Sequence, residues 1–394
     1  MAHPAVLPSS AQVPGLGGER FTVRYALTGD PREARRKAED ICLEQTVEFP
    51  ADLLPAGDIP QALVGRIERL EPVDDALFVA DISYAVEVVD QELPQLLNVV
   101  FGNISLMPGI RVLRIDPSPG LLAARRGPRF GQQGLRELLG VPTRPLLMTA
   151  LKPLGLAVEE LARLAYRYAR AGVDMVKDDH GLVNQRIAPF EARLEACAAA
   201  VARANDETGR RAVYVPNVTG PAGEVQRRAR AAKSLGAGGV MVCPGLVGFD
   251  VMRELADDDE LALPVVSHPA FYGSFVTSPQ QGISHYALYG QLQRLSGADA
   301  SIFPNVGGRF SFSAEECRSI AEGCSDPLGD WAPAFPTPGG GLQLDTVPRM
   351  RGLYGEDVIY LMGGGLHRGR GTLDETVAEL QEAIAMGGGA PNAR

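Results

Sequence analysis

Lys152 and Lys177 each close a short apolar run, PLLMTAL before the first and VDMV before the second. Two ammonium groups held near each other lower one another's pKa, which leaves one amine able to act as a base near neutrality. Lys177 opens the string Lys177-Asp178-Asp179-His180. In extended chain alternate side chains share a face, so Lys177 and Asp179 point the same way, and His180 can join them where the chain turns. Lysine is a poor metal ligand, but as a carbamate formed with CO2 it becomes an oxygen donor, and the trio would then suit a divalent cation. Without a ligand, the same residues make a plain Lys/Asp ion-pair network on a solvated rim. Asn217, Cys243, His268, Asn305 and Arg309 follow further apolar runs, and Gly339 to Gly341 and Gly363 to Gly365 follow the last two. Glycine lets an oxyanion approach backbone N–H groups because no Cβ blocks the way. A glycine pair is equally the material of an ordinary turn.

Such residues act together only if the fold brings the ends of their runs to one place. PLLMTALKP, VDMVKDDH, AVYVPNVTG, GGVMVCPG, LPVVSHPA, ASIFPNVGG, PAFPTPGGG and VIYLMGGG recur at intervals of roughly 30 residues. Helical stretches such as VEELARLAYRYARAG lie between them. Eight alternating units in residues 136–394 are the arithmetic of a (β/α)8 TIM barrel, in which chemistry sits at the C-terminal strand ends. An open doubly wound sheet would want a GxGxxG turn after its first strand, and none is there. In residues 19–135 the order is strand (FTVRYAL), helix, two strands, helix and strand (IRVLRID), which predicts a ferredoxin-like α+β domain. Residues 1–18, rich in Pro, Ala and Gly without periodicity, read as a flexible tail.

The chain is 394 residues long, 45% hydrophobic and 22% charged, enough to build a sizeable core. Lys and Arg total 38 against 48 for Asp and Glu, a net charge of -10, which argues against nucleic acid or an acidic membrane surface as partner. No apolar run is long enough to span a membrane and no signal peptide opens the chain, so a cytoplasmic enzyme is expected. Cys42, Cys197, Cys243, Cys317 and Cys324 are odd in number and lack CxxC spacing, which predicts reduced, buried thiols.

Taken together, these motifs resemble the RuBisCO-like proteins, form IV of the RuBisCO large-subunit superfamily. The likeness runs through CLEQTVEFP, VVFGN, LKPLGL, VKDDHGLVNQ, SHPA, GADASIFPNVGGRF, PTPGGGLQL and YLMGGG, covering residues 20–385. The resemblance implies that Lys177 takes the place of the lysine that RuBisCO carbamylates, with Asp179 and His180 at the other metal-ligand positions. It implies Mg2+ or another divalent cation, with CO2 as the carbamate on Lys177. Lys152 becomes the proton-handling lysine and His268 the histidine after strand five. Arg309 stands on the flexible loop after strand six, where carboxylating enzymes have a lysine. Glu44 and Asn103 would reach from a partner's small domain in a homodimer with shared sites. Gly340, Gly341, Gly363 and Gly364 match the backbone cradle for one substrate phosphate.

The departures narrow the reaction. His180 replaces a glutamate, and Leu154 stands where a second lysine is usual. Pro269, Ile302 and Gly339 replace the arginine, histidine and serine that hold a second phosphate. A monophosphorylated keto-sugar processed through an enolate is therefore expected, and carboxylation of ribulose bisphosphate is not. Within the family, the enolase acting on 2,3-diketo-5-methylthiopentyl-1-phosphate keeps the glutamate, so His180 argues against it. The 5-methylthioribulose-1-phosphate isomerases look similar around KDDHG. EQTVEFP and GGGLHR most resemble the enzyme of apionate catabolism that removes the carboxyl carbon of 3-oxo-isoapionate 4-phosphate by transcarboxylation and hydrolysis. That decarboxylating transcarboxylase/hydrolase is the leading expectation and the isomerase the alternative. A non-catalytic binding or scaffold protein is the second alternative, opposed by the survival of the lysines, Asp179, His268 and both glycine pairs.

Overall fold

The computed structural model describes residues 7–310, 312–367 and 371–386, and the chain divides into two compact units. In the smaller unit, β1 (Arg20–Thr28) buries Phe21, Val23, Tyr25 and Leu27, the alternate positions of FTVRYAL. Helix α1 (Pro31–Glu44) starts where Asp30 accepts hydrogen bonds from the N–H groups of Arg32 and Glu33, and it carries Glu44 at its last position. Then come β2 (Arg66–Pro72), β3 (Leu77–Ala85), α2 (Leu93–Phe101) and β4 (Ile110–Asp116). The antiparallel order β4-β1-β3-β2 is the ferredoxin-like arrangement expected from the sequence.

Three expectations about the ends of this unit change. Part of the supposed tail is anchored: Ser10–Ala11 pairs with Ala56–Gly57, and the Val13 N–H donates to Asp58 Oδ2 at 2.8 Å. The unit ends at Arg126 rather than near residue 135. Beyond that point the Phe130 and Gly131 N–H groups are both held by buried Asp299 of the other unit, each at 2.7 Å. Tyr272–Gln291, expected within the barrel, belongs to the small unit, because Gly282–Ile283 extends its sheet by pairing in parallel with β4.

In the larger unit, β5 (Leu146–Leu151), β6 (Met175–Asp178), β7 (Val213–Val215) and β8 (Val240–Val242) are followed by β9 (Val265–Ser267), β10 (Ala300–Pro304), β11 (Phe335–Gly339) and β12 (Ile359–Leu361). All pairings are parallel and consecutive, with β12 returning to β5. The sheet closes where the Val218 N–H bonds the Met241 carbonyl and the Met241 N–H bonds the Pro216 carbonyl, both at 2.9 Å. This is the TIM barrel, with the eight strands falling on the eight apolar runs. Alternate residues, among them Met148, Met175, Val215, Met241, Val266, Ile302 and Ile359, fill its centre. Helices α3 (Val158–Ala171) and α4 (Phe190–Thr208) follow β5 and β6. Among the described residues no helix is long and apolar enough to cross a membrane.

Candidate active site

Met175 points into the barrel, so Lys177, two residues on, shares its face while Asp178 turns to the outer layer. Lys177 is 1% exposed, and its Nζ donates to the Asp178 carbonyl at 3.0 Å. Burial, reinforced by the charge of Lys152, lowers the Lys177 amine to about 8 against the pull of the neighbouring aspartates. Lys152, at the end of β5, places Nζ 3.1 Å from Asp179 Oδ1. Burial works to raise the Asp179 carboxyl, but hydrogen bonding from His180 and the charges of Lys177 and Lys152 hold it below the usual carboxylate range.

His180 Nδ1 lies 3.4 Å from Asp179 Oδ1, and the His180 ring stacks on that of His268, centroids 4.4 Å apart and planes 15° from parallel. His268 Nδ1 accepts the Ala270 N–H at 3.2 Å, so in the neutral ring the proton resides on Nε2. Burial and the nearby charges of Lys177 and His180 push the His268 pKa well down. The structure thus gathers Lys152, Lys177, Asp179, His180 and His268 from three strand ends. The cluster offers an amine free to take a proton or CO2 near neutral pH, a fixed carboxylate and a neutral imidazole N–H donor.

For a divalent cation the donor set is incomplete as amine, carboxylate and imidazole. Among the described residues no three His, Cys, Asp or Glu side chains gather into a ready cage. Carbamylation of Lys177 would supply the missing oxygen, giving two hard donors beside one nitrogen. The lowered amine pKa suits that reaction because only the neutral amine adds CO2.

The glycines divide in two. Gly340 and Gly341 have φ of +88° and +68°, and a Cβ on Gly341 would meet Gly308 N at 2.8 Å, so here the loops after β10 and β11 press backbone to backbone. At Gly363 and Gly364 a Cβ would meet nothing within 4 Å, so these two positions border open space rather than packed backbone. Where a second phosphate would need donors, Ile302 is buried in the barrel core, Pro269 has no N–H and Gly339 has no side chain. Leu154, in the place of a lysine, is 52% exposed.

Arg309 is exposed and lies over the Phe310 ring, 5.0 Å from its centroid, with no ion pair or hydrogen bond to the lysine cluster among the described residues. In the small unit Asn103 Nδ2 donates to Glu44 Oε1 at 2.9 Å and to Glu48 Oε1 at 3.3 Å, so those two expected residues do meet each other. Sequence reasoning missed the partners of Asp178, which are Arg193 on α4 and Tyr214 on β7. Burial raises the Asp178 carboxyl even though Arg193, the Asn217 N–H and Tyr214 oppose it. An arginine in the first turn of the alanine-rich FEARLEACAAAV was the available signal.

Residues 131–378 match the family described as Ribulose bisphosphate carboxylase large chain, catalytic domain. The chain is 37% identical to Ribulose bisphosphate carboxylase-like protein 1 of Rhodopseudomonas palustris, over 94% of this chain and 99% of that one. It is 36% identical to the 5-methylthioribulose-1-phosphate isomerase of Rhodospirillum rubrum, over 93% and 96%. The crystal structure of a Rubisco-like protein from Rhodopseudomonas palustris superposes with a TM-score of 0.84 at 35% identity, covering 94% of this chain and 99% of that one.

Proposed function

The chain belongs to the RuBisCO large-chain family as a RuBisCO-like enzyme, and on that premise we propose that it forms and stabilises an enolate on a monophosphorylated keto-sugar. The observation that carries this reading is the buried Lys177 amine set beside the Lys152–Asp179 pair and the stacked imidazoles. Lys152 handles the proton that enters or leaves the substrate carbon, and the His268 Nε2–H faces the oxygen on which charge develops. Gly363 and Gly364, with Gly340 and Gly341, hold the phosphate. A cation on carbamylated Lys177, Asp179 and His180 would supply charge stabilisation to the enolate oxygen. Arg309 closes over the site from its loop. Asn103 and Glu44, paired on the surface of the small unit, complete the site of a partner subunit in a homodimer. Five buried cysteines held as thiols support a reducing, cytoplasmic setting.

For the substrate we propose 3-oxo-isoapionate 4-phosphate. Loss of its carboxyl leaves an enolate that needs only protonation, and EQTVEFP and GGGLHR are the strings that favour it. The second reading, isomerisation of 5-methylthioribulose-1-phosphate, is favoured by the extent of likeness to the enzyme of that name. Incubation with carboxyl-13C 3-oxo-isoapionate 4-phosphate should release labelled bicarbonate. Unchanged 3-oxo acid together with turnover of 5-methylthioribulose-1-phosphate would select the second reading. Inertness toward both, with no deuterium uptake in D2O, would point to the scaffold.

A further inference from the structure

We propose that Asp178, Arg193, Tyr214 and Asn217 form a buried clamp that positions Asp179 and His180, acting from the face of β6 opposite the chemistry. Three donors converge on the Asp178 carboxylate. The Tyr214 hydroxyl donates to Oδ1 at 2.7 Å, the Asn217 backbone N–H donates to Oδ2 at 3.0 Å, and Arg193 Nε reaches both oxygens at 3.2 Å. Asp178 and Arg193 are wholly buried. Their remaining capacity goes to the turn that follows β6. Arg193 Nη1 donates to the Ala188 carbonyl at 2.6 Å and Nη2 to the Val183 carbonyl at 2.8 Å. The Asn217 side chain donates to the carbonyls of His180 at 2.9 Å and Leu182 at 3.1 Å.

Four carbonyls of the segment after β6 are therefore held by the buried side chains of Arg193 and Asn217. The His180 carbonyl is one of them, so the direction in which its half-exposed ring leaves the chain is set from behind. The stack on His268 and the approach to Asp179 follow from that direction. Burying an ion pair costs desolvation energy that an apolar pair of similar volume would not incur. Its hydrogen bonds here go to the segment that carries the site, and that destination is where its benefit lies.

This inference rests on reading Asp179 and His180 as site residues, so its test uses a signal that needs no turnover. With 13Cε1-histidine labelling at one fixed pH, the His180 resonance is assigned by its loss in His180→Gln. Stacking on His268 shifts it by ring current. In full-length Asn217→Ala, and in near-isosteric Tyr214→Phe, that displacement should fall by at least about half, with His285 and His367 unmoved. An unchanged His180 signal in folded Asn217→Ala overturns the clamp; if that variant does not fold, Tyr214→Phe decides by the same criterion. With an active substrate, kcat should fall about tenfold in both variants with KM unchanged, since the glycine loops are untouched. If the wild type turns over neither candidate substrate, the proposed function fails while the resonance still judges the clamp.

Discussion

Gly364→Val tests the phosphate cradle without disturbing the fold. The side chain would enter space in which a Cβ meets no atom within 4 Å, and Gly364 has no positive φ to make valine costly. What the methyl groups do exclude is a phosphate oxygen approaching the backbone N–H. A hydrogen bond to a charged group contributes about 2 kcal/mol, so losing one should raise KM about thirtyfold. The melting temperature should stay within about 2 °C of the wild type, because each kcal/mol moves it by only a few degrees at this size. Gly341→Ala should cost stability as well as phosphate affinity. Its Cβ would lie 2.8 Å from Gly308 N at a φ of +68°, at a cost of about 2 kcal/mol, or roughly 4–8 °C. Differential scanning fluorimetry, steady-state kinetics and calorimetric titration with inorganic phosphate would separate the two. Unaltered phosphate affinity in Gly364→Val, with stability intact, would refute the cradle.

Lys177 should impose a pH signature on stability. Unfolded lysine keeps its proton to about 10.4, whereas folded Lys177 releases it at about 8. Between those values the unfolded state binds more protons, so stability rises with pH, and Lys177→Met should flatten that rise in denaturant titrations. If the carbamate forms, activity should need both CO2 and a divalent cation; full activity in EDTA under CO2-free buffer would assign Lys177 the role of a free amine. Mixing inactive Asn103→Ala with inactive Lys152→Ala should recover part of the activity through hybrid dimers, and no recovery despite proven mixing would remove the shared site.

The barrel was legible because each strand is a continuous apolar run, and burial on both faces leaves that trace in any order of reading. Lys177, Asp179 and His180 were legible because alternation along one strand is local. The partners of Asp178 were not: alternation says only that it faces away from Lys177, and nothing local says that residues 193 and 214 meet there. Arg309 was placed by its loop, yet its nearest ring contact is its own neighbour Phe310. Ser10–Ala11 carries no strand pattern of its own, and its pairing depends on Ala56–Gly57 being in reach.

The excursion at Gly282–Ile283 bears on how the polypeptide is made. The small sheet obtains its outer strand from residues beyond β9, and the Ser284 hydroxyl bonds the Leu113 carbonyl across 171 residues of chain. On the ribosome, β1 to β4 emerge early but cannot complete their sheet until more than half of the barrel strands have left the exit tunnel. During that interval β4 presents an unpaired edge, the kind of surface on which nascent chains associate wrongly. A fragment ending at Arg126 should carry the same open edge permanently, and cotranslational folding of this unit should wait on a segment synthesised long after it.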